Sequence, residues 1–242
     1  MRYVSQMYDF QLSPIVKSLM LINGAVWFFL VIFLQKLFFD NNSIYYFLGL
    51  VPFQVLDHFW LWQIFTYMFV HSESVFHILF NMFALWMFGS ELERFWGSKF
   101  FISYYLVCGV GVALIYILVL NLIPLIYPLN PLQLKIPLIG ASGSIFGILF
   151  AYGMIFSERQ ILFMMLFPMK AIHFTLLIGV IEFVSLINNG MGSSISHLSH
   201  LSGFIVGFFF LQSWKNIQNF KIRSRRRQGR PTFLKILRNE DK

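Results

Sequence analysis

The chain has 242 residues, of which 58% are apolar and only 12% charged, with Phe alone at 31 positions. A water-soluble globular chain is roughly half apolar and about a quarter charged, so too little polar material is present to cover a solvent-facing surface, and a soluble domain is excluded. The net charge of +8 would suit either nucleic acid or a membrane surface, and its location has to decide; the single cysteine, Cys108, excludes an internal disulfide and a cysteine-built metal site.

Runs without Asp, Glu, Lys or Arg mark the membrane spans, because a charge in hydrocarbon costs kilocalories and a span needs about 20 apolar residues. In chain order they predict helices at about 18–35, 75–91, 100–123, 140–157, 171–188 and 195–214. The fold class is therefore all-α: a polytopic six-helix bundle over residues 1–214, followed by a basic tail, 215–242. The first run is too long and too weakly basic at its start for a cleaved signal peptide, and no small-residue cleavage site follows it. Between spans one and two, the 36–74 loop is rich in aromatic rings that favour the headgroup region, so it is expected to lie in the outer interface. The third span should end near Pro124, Pro128 and Pro131, and the segment broken by Pro168 and Lys170 reads as interfacial.

The charge is unevenly placed. Of the 18 Lys+Arg and 10 Asp+Glu, the tail takes ten and two, leaving eight of each in residues 1–214. A tail this basic belongs in the cytoplasm by the positive-inside rule, where it can lie on anionic headgroups, and six spans then put the N-terminus there too. Nucleic acid is not needed to explain it. By analogy only, the short form without a targeting sequence is expected in a bacterial inner membrane.

With that topology, spans two, four and six all enter from the outer face, and their opening turns hold His77 and Asn81, Ser142, and His197 and His200. Intramembrane ionisable groups are costly and face a bundle interior or watery cavity, so several at one depth suggest a shared site. Ser142 lies in Gly140-Ala-Ser142-Gly143-Ser144; a serine becomes a nucleophile when a base takes its proton, and flanking glycines admit a substrate backbone. By itself such a motif more often caps a helix. In span six, His200 shares a helical stripe with Gly203 and Gly207, the face able to press on another helix, whereas His197 is about 60° off it and reads as a polar boundary residue. His77 and Asn81, one turn apart, offer donors for an oxyanion or an interhelical hydrogen-bond pair. His71 precedes the span, at the interface. Glu182, midway in span five, reads as a paired or neutral structural acid with no partner assignable from sequence.

These residues resemble the rhomboid intramembrane serine proteases in their basic six-helix form. The matching pieces are Trp62-Gln63 through Thr66, His71 followed by His77-Ile-Leu-Phe-Asn81-Met, Glu91-x-Glu93-Arg94-Phe-Trp96-Gly97-Ser98, Gly140-Ala-Ser142-Gly143, and His200-Leu-Ser-Gly203-x-x-x-Gly207. The resemblance implies that Ser142 is the nucleophile and His200 its base, with no third acidic residue. It also implies an oxyanion hole from the Ser142 N–H, His77 and Asn81, with Gly140, Gly143, Gly203 and Gly207 in support. The substrate would be the transmembrane helix of another membrane protein, cut near the outer leaflet; no metal and no cofactor is implied. The mobile parts would be span five and the loop at Asn188, Asn189, Gly190 and Gly192. The chain departs from the commonest pattern in Gln63 where Arg is frequent, in five residues between His71 and His77, and in Ser202 for a frequent glycine. The rival readings are a catalytically silent helix-binding adaptor and a small transporter; a transporter would need acids along a path through both leaflets.

Overall fold

The computed structural model describes residues 11–38, 43–125, 135–163, 167–188 and 190–228, the last helix by backbone alone over 190–195 and 217–228. Helix α1 (Pro14–Leu34) opens on a proline, whose fixed φ suits a first helical position and whose missing N–H is not needed there. Three short helices follow, α2 (Ser43–Leu48), α3 (Pro52–Asp57) and α4 (Gln63–Thr66), then α5 (Val75–Trp96), α6 (Ser98–Leu122) and α7 (Ser142–Ile155). Strands β1 (Gln160–Phe163) and β2 (Phe167–Lys170) pair antiparallel before α8 (Ala171–Asn188) and α9 (Gly190–Gln228).

The molecule is a helical, polytopic membrane protein. Helices α1, α5, α6 and α8 are each long and apolar enough to cross a bilayer, while α7 has only 14 residues. Helix α7 is also the most enclosed, with α5, α6, α8 and α9 around it, and its buried face runs through Gly143, Gly147, Ile148, Ala151 and Tyr152. Small residues set these close approaches. A Cβ on Gly147 would lie 2.5 Å from Cys108 Sγ of α6, and one on Gly203 of α9 would lie 2.2 Å from the Gly143 carbonyl oxygen. Two buried phenols donate across these contacts, Tyr104 to the Gly147 carbonyl at 2.7 Å and Tyr67 to that of Gly109 at 2.8 Å.

Two segments gain a defined structure, and one expectation is revised. The described part of the 36–74 loop is built from short helices, and within 158–170 strands β1 and β2 pair antiparallel, with Lys170 Nζ 2.7 Å from Glu158. The helix of the sixth run starts at Gly190 and continues to Gln228, so Gly190 and Gly192 are helical, and the basic tail begins as helix. Pro128, Pro131, Asn189 and tail residues 229–242 lie outside the described residues.

At the α7 C-terminal end, the Glu-x-Glu-Arg run supplies structural anchors. The buried Glu93 carboxylate accepts from the Ile15 and Val16 N–H groups at 3.0 Å, from Ser98 Oγ at 2.5 Å and from Ser13 Oγ, so it caps the otherwise unpaired start of α1. Glu91 accepts from Tyr152 at 2.8 Å and pairs with Arg159, joining α5 to α7 and the hairpin. Replacing Glu93 with alanine strands those donors in the interior and is expected to cost about 2–4 kcal/mol. A lowered Tm in detergent, with the Gln variant intermediate, checks this.

The first loop positions the start of α7. Gln63, fully buried, accepts from the Val51 N–H at 3.0 Å and donates to the Tyr46 carbonyl at 2.7 Å, while Thr66 Oγ1 donates to Leu48 at 2.6 Å. An uncharged amide therefore ties the short helices together. Leu50 bridges Leu138, and the Gly140 N–H donates to the Tyr67 carbonyl at 3.0 Å, so this loop holds the turn that leads into α7.

Candidate active site

Helix α7 begins at Ser142 with Ala141 as its cap residue, and no side chain makes a capping bond. Ser142 is half-buried and, among the described residues, its hydroxyl has no hydrogen-bond partner, so capping does not account for it. Ser144 is different: it is fully buried and donates to Met68 Sδ at 3.4 Å. The first intrahelical bond runs from the Ile145 N–H to Ala141, leaving the opening N–H groups of α7 without intrahelical acceptors. Gly140 has φ +117°, a conformation side-chain-bearing residues rarely adopt. The point where its Cβ would stand is 3.0 Å from His77 Nε2 and 3.7 Å from Ser142 Oγ. The missing side chain thus leaves a small space bordered by both groups.

His77 comes from the first turn of α5. Its Nδ1 accepts from the Ser72 N–H at 3.3 Å and lies 3.0 Å from Ser72 Oγ. An N–H can only donate, so a neutral His77 carries its proton on Nε2, the nitrogen beside Gly140 and Ser142. Asn81, one turn on, is buried and donates one amide hydrogen to the His77 carbonyl at 2.8 Å, keeping a second donor. His71, in the loop before α5, is fully buried, with its ring 5.1 Å from that of His77. Burial, with His77 nearby, pushes its imidazole down to about 3, so it is neutral at physiological pH.

His200 lies on α9 with its ring stacked flat on Phe146, centroids 4.0 Å apart and planes 7° from parallel. Phe146 is one turn beyond Ser142. The same helix pair meets at Gly203 on Gly143 and at Gly207, where a Cβ would be 3.4 Å from the Gly147 backbone and 2.5 Å from the Tyr104 hydroxyl. Gly143 itself packs on Val112 of α6. These contacts hold α7 and α9 in parallel register, with Ser142 and His200 at the same end. Among the described residues the two share no hydrogen bond. Ser202, buried, returns its hydroxyl to the Leu198 carbonyl at 2.8 Å.

His197 is not merely a boundary residue. Its Nδ1 lies 2.5 Å from Glu182 Oε2, and His200 Nδ1 lies 3.1 Å from Glu182 Oε1. Glu182 thereby acquires the partners that sequence alone could not name. Among the described residues, these three side chains also form a group that could hold a metal ion, with ligand-type atoms all within 4.8 Å of one another.

A family model described as the Rhomboid domain matches residues 58–213. The chain is 30% identical over 151 residues to the Rhomboid protease GluP of Bacillus subtilis (strain 168), a match covering 61% of this chain and 25% of that protein. It is 28% identical over 148 residues to Rhomboid protein 1, mitochondrial, of Saccharomyces cerevisiae, covering 59% of this chain and 38% of that one. The chain belongs to the rhomboid family. It matches well under half the length of either relative.

Within this rhomboid domain, sequence reading misses Ser72, which sets the His77 tautomer, and Phe146, which fixes the His200 ring. A hydroxyl five residues before a histidine and an aromatic one turn after a serine are too common to stand out. Only the helix packing gives them meaning.

Proposed function

We propose that this rhomboid chain is an intramembrane serine endopeptidase that cuts transmembrane segments of other membrane proteins with a Ser142–His200 dyad. The observation that carries the reading is the start of α7: a half-exposed, uncapped Ser142 facing His77 Nε2 across the space left by Gly140. A 14-residue helix is about 21 Å long against about 30 Å of hydrocarbon. With its Ile155 end, next to the charged Glu158 and Arg159, at one boundary, its half-buried serine end would stand about 9 Å short of the other, within reach of water from that side. That supplies water where hydrocarbon supplies none. The positive-inside rule supports a cytoplasmic tail lying on anionic headgroups, with six spans a cytoplasmic N-terminus too, and with that topology Ser142 on the outer side.

In the mechanism, Ser142 Oγ attacks a carbonyl of a locally unwound substrate helix while His200 takes its proton. The oxyanion is received by the Ser142 N–H, His77 Nε2–H and the spare Asn81 amide hydrogen. His200 then gives its proton to the departing amine, and water releases the acyl-enzyme by the same route. Losing one such donor raises a barrier by roughly 2.7–4 kcal/mol, so Asn81→Ala is expected to lower kcat about 10²–10³-fold with little change in Tm.

The test is cleavage of a helical membrane substrate by detergent-solubilised protein, with labelling by a fluorophosphonate or isocoumarin, beside Ser142→Ala and His200→Ala. Wild-type protein is expected to cleave and label, and both variants to do neither. Wild-type protein that does neither would overturn the reading in favour of a silent helix-binding adaptor. His197→Ala is expected to retain turnover well above that of His200→Ala, and equal losses would mean that the base is misassigned.

A further inference from the structure

Glu182 sits within α8, where an ionisable group is costly, and the dyad mechanism leaves it without a task. It follows Thr175 and Gly179 along the face of α8 that meets the bundle: Thr175 Oγ1 donates to the Leu149 carbonyl of α7 at 3.2 Å, and Gly179 packs against Phe204 of α9. Its carboxylate reaches the start of α9, between His197 Nδ1 at 2.5 Å and His200 Nδ1 at 3.1 Å. The His200 nitrogen is buried and makes no aligned hydrogen bond among the described residues; the Glu182 oxygen lies within range but off the N–H axis. Phe146, stacked at 4.0 Å, fixes the plane of the same ring.

We propose that Glu182 is the acidic positioning residue of the site, converting the pair into a Ser142–His200–Glu182 triad. The proposal rests on the assignment of Ser142 and His200 as nucleophile and base. Phe146 sets the plane of the imidazole and Glu182 sets which nitrogen bears the proton. With the proton held on Nδ1 beside the carboxylate, the Nε2 lone pair is the one left for Ser142. As the Ser142 Oγ–carbon bond forms, the hydroxyl proton passes to Nε2, and the imidazolium so produced is stabilised by Glu182, which stays ionised and takes no proton. That proton leaves on the amine nitrogen when the carbon–nitrogen bond breaks. A small ring rotation aligns Nδ1 with Oε1, an adjustment of the kind that substrate binding makes in catalytic hydrogen bonds.

The same three side chains have the composition of a metal site, but their spacing favours hydrogen bonding. Ligand atoms on a tetrahedral zinc with bonds of about 2.0–2.1 Å stand roughly 3.3 Å apart, whereas His197 Nδ1 and Glu182 Oε2 are 2.5 Å apart.

The experiment compares full-length wild type, Glu182→Gln, Glu182→Asp and Ser142→Ala in detergent. It measures kcat, KM, fluorophosphonate labelling rate and Tm, each with and without EDTA. Glu182→Gln is expected to lower kcat and labelling rate about 10²-fold, less than the roughly 10⁴ lost with a fully aligned triad acid because this carboxylate is shared and off axis. KM and Tm should stay near wild type, Glu182→Asp should recover part of the loss, and EDTA should change nothing. Wild-type rates in Glu182→Gln, a change in KM alone, a loss that tracks a fall in Tm, or sensitivity to EDTA would each overturn the role of Glu182. An active wild type with an indifferent Glu182→Gln leaves the dyad standing. A wild type that neither labels nor cleaves removes the dyad, and the triad with it.

Discussion

Ser142→Ala and His200→Ala are each expected to reduce turnover of a helical substrate by about 10⁴–10⁶-fold, with the double variant no worse than either single one. Members of a catalytic unit lose nearly the whole advantage together, because neither an unactivated serine nor a base without a nucleophile carries the reaction. The two substitutions should differ in stability. Ser142 Oγ has no hydrogen-bond partner among the described residues, so removing it leaves the fold nearly untouched. His200 covers the Phe146 ring and faces Glu182, so its loss opens a gap and leaves the acid with His197 alone. Initial rates together with Tm values for the three variants check both statements. A double variant far slower than either single one would mean that the two residues act independently.

Gly203→Ala is expected to damage fold and activity together. The new Cβ would stand 2.2 Å from the Gly143 carbonyl oxygen and 3.1 Å from Phe146 Cβ. The first of these is backbone and cannot rotate away, so α9 must move off α7. Overpacking of this kind costs typically 1–3 kcal/mol and more where no flexible atom can yield, which puts the expected loss at about 3 kcal/mol. His200 is one turn from the contact and moves with its helix, so kcat should fall further than the folded fraction explains. Gly24 in α1 supplies the control: nothing lies within 4 Å of its Cβ position, so Gly24→Ala should leave Tm unchanged or raise it slightly. A Gly203→Ala protein as stable as the Gly24→Ala protein would contradict the packing described for α7 and α9.

The helices were legible in the sequence because a charge excluded from hydrocarbon leaves a charge-free gap, and the charges that open three such gaps, Glu73, Lys99 and Lys170, fall within two residues of the starts of α5, α6 and α8. The convergence of His77, Ser142 and His200 at one end was legible for the same reason, since counting spans fixes which ends share a side. Rotation about a helix axis was not. Whether His197 reaches Glu182, and whether His71 is buried, depend on how α8, α9 and the loop before α5 turn toward their neighbours. A single chain's apolar pattern is nearly uniform around such helices. The 160–170 hairpin was missed because Pro168 and Lys170 read equally as breaks in a surface segment. Ser142 as a cap was the ordinary reading of Gly-x-Ser-Gly, and only the observed start of α7, with Ala141 in the cap position, separates it from a serine left available for chemistry.

Mapping the adduct of a fluorophosphonate on the full chain by mass spectrometry tests the central claim most directly. Ser142 and Ser144 lie in one peptide two residues apart, yet Ser144 is fully buried against Met68. The modification should fall on Ser142, and should vanish in Ser142→Ala and His200→Ala. Modification of Ser144 or another serine, or undiminished labelling of Ser142→Ala, would contradict a nucleophile at the start of α7.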